Sequence, residues 1–284
     1  EPQRLLPAVR LGLGDENRGV RFTAVMMVGR ERITPLAPLV EPLLADPSGS
    51  VRAAAIYALS RCDRPVDPTP LAGMLLGESL EERGNAAMVL GMLGEDSALD
   101  LLRSAYGRTV PTAGGNALRA VDMQIAEAAY RLGREAEDLE LIRAALLASG
   151  GEEEIAALAA QICGELRDEA SLRTLAWIAT RNEAPENQPP APAEVRMAAA
   201  TAIARMRPDQ APVRVLMGYI GSDNPALRAQ AAVGLGWFRD AQVLPTLATL
   251  LDDRNAMVQV AAAGSIVRAT TGARTAPPMA MRRR

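Results

Sequence analysis

The sequence has no histidine and no lysine; all 31 of its basic residues are arginine. Histidine acid–base catalysis, histidine metal ligation and lysine Schiff-base chemistry are therefore excluded. Two cysteines, Cys62 and Cys163, form no ligand cluster, and there is no Gly-rich phosphate loop. Aromatic residues make up only 3%, and β-branched or aromatic runs bounded by turns are missing, which argues against strands. No apolar run approaches the ~20 residues of a membrane span. The formal net charge of -3 argues against tight tracking of nucleic-acid phosphates.

Alanine is abundant, with runs at Ala53–Ala55, Ala198–Ala200 and Ala261–Ala263. It has the highest helix propensity and lets helices approach closely, so the chain reads as all-α. A length of 284 residues would ordinarily mean two globular domains. A repeat array escapes that limit, because each unit buries its face against its neighbours.

Self-similarity is present. Asp46-Pro-Ser-Gly-Ser-Val51-Arg52-Ala-Ala54-Ala55-Ile-Tyr-Ala-Leu59 recurs as Asp223-Asn-Pro-Ala-Leu227-Arg228-Ala-Gln-Ala231-Ala232-Val-Gly-Leu235-Gly236. With the Val51 place as anchor, the units begin at Val20, Val51, Glu82, Gln124, Ile155, Val195, Leu227 and Val258. The anchor, the small residues four and five places on and the aliphatic eight places on share one helix face. Each anchor thus opens a second helix, B, preceded by a first helix, A, such as Ser171–Ile178 or Val243–Leu251. Short turns such as Gly94–Asp96 and Arg239–Asp240 join B to the next A. Asp15, Asp46, Asp223 and Asp253 stand where they would cap B helices.

These residues resemble the HEAT-repeat family, in the short bacterial form also seen in phycobilin lyases. The shared pattern is Asp, Val-Arg, Ala-Ala and Leu-Gly, clearest around Val20, Val51 and Leu227. The resemblance implies an all-α, right-handed α-α superhelix, a solenoid of about eight two-helix HEAT-like repeats. It spans residues 1–269, with insertions near 104–116 and 181–194. Residues 270–284, ending in Arg282–Arg284, lack periodicity and are expected to form a disordered basic tail. The family's usual pattern also implies that Arg21, Arg52, Arg83, Arg196 and Arg228 form an internal ladder with the aspartates and nearby carbonyls. Cys62 and Cys163 fall in units too far apart to pair, so both are expected to be free and buried.

By the same resemblance the B helices line a concave surface where partners bind. Six places after each anchor, opposite the buried stripe, stand Met26, Tyr57, Met88 and Tyr130, with Phe22 one turn before Met26. Ten places after the anchor stand Arg30, Arg61, Arg134, Arg205, Trp237 and Arg268. These rows suggest an apolar groove edged by arginine, suited to an extended acidic-apolar peptide. On this expectation alanine at Tyr57 and Tyr130 weakens partner binding and leaves the melting temperature nearly unchanged.

The function expected is therefore a non-catalytic scaffold or adaptor that holds another protein or peptide, with no cofactor and no metal. The competing class is a HEAT-like enzyme or ligand-holding protein. Deoxyhypusine hydroxylases have this architecture but need His-Glu metal pairs, which a chain without histidine lacks. The same class includes a phycobilin-lyase-like pigment holder and an alkylpurine DNA glycosylase-like groove built on Trp177, Trp237 and arginines. The pairs Glu81/Glu82 and Glu152–Glu154 fall at B-helix starts, where carboxylates favour the helix dipole. The last B helix, Met257–Val267, has almost no polar face, so a contact through that repeat, end to end or with a partner, is expected. Free thiols point to the cytoplasm, while a first residue other than Met is compatible with an exported, processed form.

Overall fold

The computed structural model describes residues 2–111, 113–181, 191–238 and 241–271. They form helices and turns, with no strand among the described residues. The expected insertion near 181–194 falls mostly, the Arg239–Asp240 turn entirely, and the basic tail from residue 272 onward outside them. The chain divides into two compact units, residues 1–141 and 142–284.

In the first unit, α1 (Pro2–Leu13) packs on α2 (Arg18–Arg30). The next A element is broken: a 3-10 turn at Thr34–Leu36, α3 (Ala37–Val40) and a second 3-10 turn at Glu41–Ala45. Pro35, Pro38 and Pro42 each remove a backbone donor, so a continuous α-helical ladder cannot form. This element lies against α4 (Gly49–Arg61). Then α5 (Pro70–Leu75) packs on α6 (Leu80–Leu93), and α7 (Leu99–Ala105) on α8 (Gly115–Gly133). The B helices α2, α4, α6 and α8 contact one another in that order. Buried from Val51 through Leu59 except at half-buried Arg52, α4 explains its alanines: it has packed neighbours on nearly every side.

After α9 (Ala136–Ala145), which carries the division, the second unit holds B helices α10 (Glu153–Leu166) and α12 (Ala193–Met206). They are followed by α14 (Pro225–Leu235) and α16 (Ala256–Thr271), each packed on the one before. Their A partners α11 (Leu172–Thr180), α13 (Val213–Met217) and α15 (Leu244–Thr249) pack on α12, α14 and α16 respectively.

In four pairs of B helices, α2–α4, α6–α8, α10–α12 and α14–α16, the distance is set by glycine. Gly29, Gly91, Gly164 and Gly236 all stand nine places after their anchors. A Cβ on them would lie 2.9, 2.9, 2.8 and 2.8 Å from the Cα atoms of Ala58, Ala128, Ala202 and Ser265. Backbone thus meets backbone with no room for a side chain. Ala58, Ala202 and Ser265 stand seven places after Val51, Val195 and Val258. Ala128 stands seven places after Val121 instead of after Gln124, so the fourth unit's register starts at Val121. That residue is buried, whereas Gln124 is half-buried. The expected anchor Gln124 is corrected accordingly: the insertion before α8 hides the start of the repeat.

Within each compact unit, arginine links successive repeats. Arg21 donates from Nε and Nη2 to the Asp46 carboxylate of the next repeat, at 2.8 and 3.0 Å, and from Nη1 to its own loop carbonyls of Asp15 and Glu16. Arg228 repeats this on Asp253, at 2.7 and 2.8 Å, and on the carbonyls of Ser222 and Asp223. Such forked, charge-assisted contacts fix geometry as well as charge. Arg52 reaches the carbonyls of Asp46 and Pro47; its onward neighbour at that place is Gly77, which offers no carboxylate. Arg83 is turned to the carbonyls of Ala105 and Arg108, pinning the start of the first insertion. Arg196 bonds the carbonyl of Ala179 and the hydroxyl of Tyr219.

The aspartates are not helix caps, which corrects that expectation. Asp15, Asp46 and Asp253 accept the backbone N–H two residues on, from Asn17, Ser48 and Asn255, in Asx turns that precede the helices. Asn17, Asn224 and Asn255 themselves accept from Gly19, Ala226 and Met257 at the helix starts. An aspartate set back from the helix accepts the preceding repeat's arginine fork on both oxygens, sharing one of them with the Asx-turn N–H. Cys62 and Cys163 are buried and free; burial pushes both thiols up, Cys163 to about 11.

Two stability measurements follow from these contacts. Gly164→Ala lowers stability by about 1–3 kcal/mol through overpacking. Gly264→Ala, with nothing near its added Cβ, raises it by about 0.5–1 kcal/mol; urea midpoints of the two variants read both. The second concerns acid. Arg228's hydrogen bonds hold the Asp253 carboxyl below its ordinary range. At Asp46 burial pushes upward, and the bonds from Arg21 and the Ser48 N–H outweigh it. A depressed folded value gives stability that is complete above the unfolded value near ~3.9 and lost as pH falls through the folded one. The urea midpoint therefore falls on acidification from about pH 5, and Asp253→Asn shows a smaller acid-dependent loss.

Candidate functional site

Burial leaves one stripe open on the B helices other than α4, at the places just before the anchor and three, six and ten after it; on α4 Ser50, Ala54 and Tyr57 are buried and Arg61 is half-buried. In the first unit α6 shows it in full: Glu81 is exposed, and Asn85, Met88 and Met92 are half-buried. On α2 the stripe is Gly19, Thr23, Met26 and Arg30. Here the expected exposed row is corrected. Met26 and Tyr57 are 7% and 4% exposed. The Tyr57 ring occupies the space over Gly29, where a Cβ would meet its Cε1 at 2.6 Å. The glycine that draws α2 and α4 together also makes the slot that takes the ring. Burial raises the Tyr57 phenol above its usual range.

Polar residues at the α2, α4 and α6 N-terminal ends, with Ser50 buried among them, form a network. Arg18 pairs with Glu81 at 3.0 Å, Ser50 Oγ donates to Glu81 at 3.0 Å, and Asn85 donates to Ser50 at 2.8 Å. They border a recess of about 290 Å³, lined also by Asn17, Ser48 and Phe22. Sequence reasoning named Phe22 as a site residue, read Glu81 only as a carboxylate at a helix start, and missed Arg18, Ser50 and Asn85, although Ser50 and Glu81 occupy equivalent places in successive repeats. Glu81 and Glu82 are not a matched carboxylate pair: Glu82 lies over Gly49, while Glu81 is engaged by Arg18 and Ser50.

Tyr130 is half-buried and Arg134 is exposed. In the Val121 register they leave the rows expected for them, which pass to Glu127 and Arg131, an ion pair one turn apart. Arg134 instead ends α8 in the left-handed conformation (φ 57°) and stacks 5.4 Å from the Tyr130 ring centroid. Of the other first-unit arginines, Arg30 is exposed and Arg61 half-buried.

The second unit joins the tenth places of four successive B helices. Glu165 pairs with Arg205 at 3.2 Å, and the Arg205 guanidinium lies 4.9 Å from the Trp237 ring centroid. Arg268 lies 4.7 Å from the same centroid. Burial and the nearby charge of Arg205 both lower the Arg268 pKa. Beside this row Gln161, Val233 and Gly264 are exposed and Thr201 is half-buried. The structure thus brings together Arg205 and Trp237, both expected site residues, and adds Arg268 from the same row.

The outer side of α16 is open and apolar, with Val260 72% and Val267 59% exposed, in line with the sequence. Among the described residues no helix is long and apolar enough to cross a membrane, and no three acidic or cysteine side chains group as metal ligands.

Two family models match parts of this architecture. The HEAT-repeat model matches residues 189–267, and the PBS lyase HEAT-like repeat model matches residues 82–107. Both matched stretches are thus of the HEAT-repeat kind. Among solved structures, human deoxyhypusine hydroxylase in complex with glycerol is similar, with 17% identity and a TM-score of 0.43, over 94% of this chain and 96% of that one. No curated protein matches the chain.

The burial of Tyr57 reverses the outcome expected for its substitution. Tyr57→Ala costs about 3 kcal/mol or more by emptying the slot over Gly29. Met88→Ser, on the open stripe, changes the melting temperature far less, as thermal denaturation of both variants tests.

Proposed function

We propose that this chain is a non-catalytic scaffold that holds a partner protein or extended peptide along the open stripe of its B helices. The observation that carries this reading is the stripe itself. On helices otherwise packed on nearly all sides, it keeps Met88 and Met92 in one unit and Val233, Trp237 and arginines in the other open to solvent. Aromatic, methionine and arginine side chains are those that dominate protein interfaces. A second reading, a ligand-holding protein of the phycobilin-lyase kind, draws on the match over 82–107 and on the adjoining recess. At about 290 Å³ that recess is at the small end of ligand sites, so the weight falls on a partner chain.

The test captures partners from a lysate of the source organism on the tagged full chain. Two variants run beside it: Phe22→Ala with Met88→Ser and Met92→Ser, and Val233→Ser with Trp237→Ala. Both are first checked for an unchanged helical circular-dichroism spectrum. A partner retained by the parent and lost from at least one variant supports the scaffold reading. Equal capture by all three proteins, or by none, removes it.

A further inference from the structure

The row Glu165–Arg205–Trp237–Arg268 has an electrostatic asymmetry. Arg205 has a carboxylate partner on one side and shares the Trp237 ring with Arg268 on the other. Among the described residues Arg268 makes no ion pair, and its Nη1 is buried without a hydrogen-bond partner. Two cations on one indole gain from its quadrupole but repel each other, and a buried donor left unpaired costs free energy. Each strain is relieved by one added anion. The stretch after α16, residues 272–284, contains no aspartate or glutamate to supply a side-chain carboxylate.

The surroundings narrow the anion further. One turn back along the helices lie Thr201, Val233 and Gly264, of which Val233 is an exposed aliphatic and Gly264 has open space where a Cβ would stand. An apolar shelf therefore borders the paired guanidiniums. Arginine forks match carboxylates in a bidentate fashion, and the indole beside them gives an aliphatic neighbour of that carboxylate a surface to cover.

We propose that Arg205, Trp237 and Arg268 form a receptor for an acidic-apolar segment of a partner protein. A carboxylate is taken between the guanidiniums, and the adjoining aliphatic residue lies on Val233 and the indole. This deepens the scaffold reading and rests on it.

The full chain carrying Trp177→Phe leaves Trp237 as its single indole, so tryptophan emission reports on the receptor. The probes are a synthetic peptide of alternating glutamate and leucine, its glutamine–leucine counterpart, and inorganic phosphate. The acidic peptide is expected to change Trp237 emission saturably, and Arg268→Gln to weaken it by about tenfold. Arg205→Lys, which keeps the charge opposite Glu165 but loses the fork, is expected to weaken it as well. Circular dichroism and melting of each variant confirm a folded chain; if Arg268→Gln fails to fold, Arg268→Lys replaces it. The proposal is overturned by no saturable change, by unchanged affinity in both folded variants, or by equal binding of the glutamine–leucine peptide. Phosphate binding as tight as the acidic peptide also overturns it, since that marks a free-anion site. Loss of the receptor with partner capture intact removes this proposal alone, whereas equal lysate capture by the parent and the stripe variants, or capture by none, removes the scaffold reading beneath it.

Discussion

Backbone contact within the glycine-joined pairs of B helices is the constraint on which the rest of each unit depends. Where Gly29, Gly91, Gly164 and Gly236 let one helix backbone rest on the next, side chains around the contact must fit a fixed, short separation. Alanine is common at those neighbouring places because a larger residue would force the helices apart. The same separation buries Tyr57 and decides which residues stay open to solvent. A binding stripe in this chain is what remains after the close approach has taken its share of each helix surface.

The arginine–aspartate link acts on the same scale and complements the glycine contact. Glycine sets a distance but has no means of choosing a register along the helix. A forked guanidinium held simultaneously by its own loop carbonyls and the next repeat's carboxylate is far more selective. Arg21 and Arg228 make the link in full, while Arg83 and Arg196 turn to carbonyls and a tyrosine hydroxyl where no acid is available. Arginine, with five donors, can satisfy all of these arrangements; lysine, with a single ammonium, could not span two of them at once.

The helix pairs were legible from the sequence because their signal is repeated: Val51 and Leu227 announce the same environment in different units. So were the buried thiols and the open outer side of α16. Two things were not. A period-based count assigns the anchor to Gln124, since an insertion shifts the spacing and only the facing glycine, Gly91, reveals that Val121 is the equivalent residue. And helix geometry alone places Tyr57 opposite the buried stripe; that a neighbouring backbone comes close enough to cover that side depends on Gly29, a residue in another helix. The ion pair and hydrogen bonds of the polar recess were hidden for a similar reason, since Arg18, Ser50 and Glu81 meet only when three repeats are stacked.

Gln259 occupies on α16 the place that Arg228 holds on α14, and it donates to the carbonyl of Asp253 in its own loop. The amide thus satisfies the inward half of the arginine's role and has no outward half. For modular engineering this makes the junction asymmetric: a transplanted helix pair laid on Val260 and Val267 would find an apolar seat but no connector. Restoring the guanidinium at position 259, and supplying an aspartate in the grafted loop, would convert that seat into a registered joint.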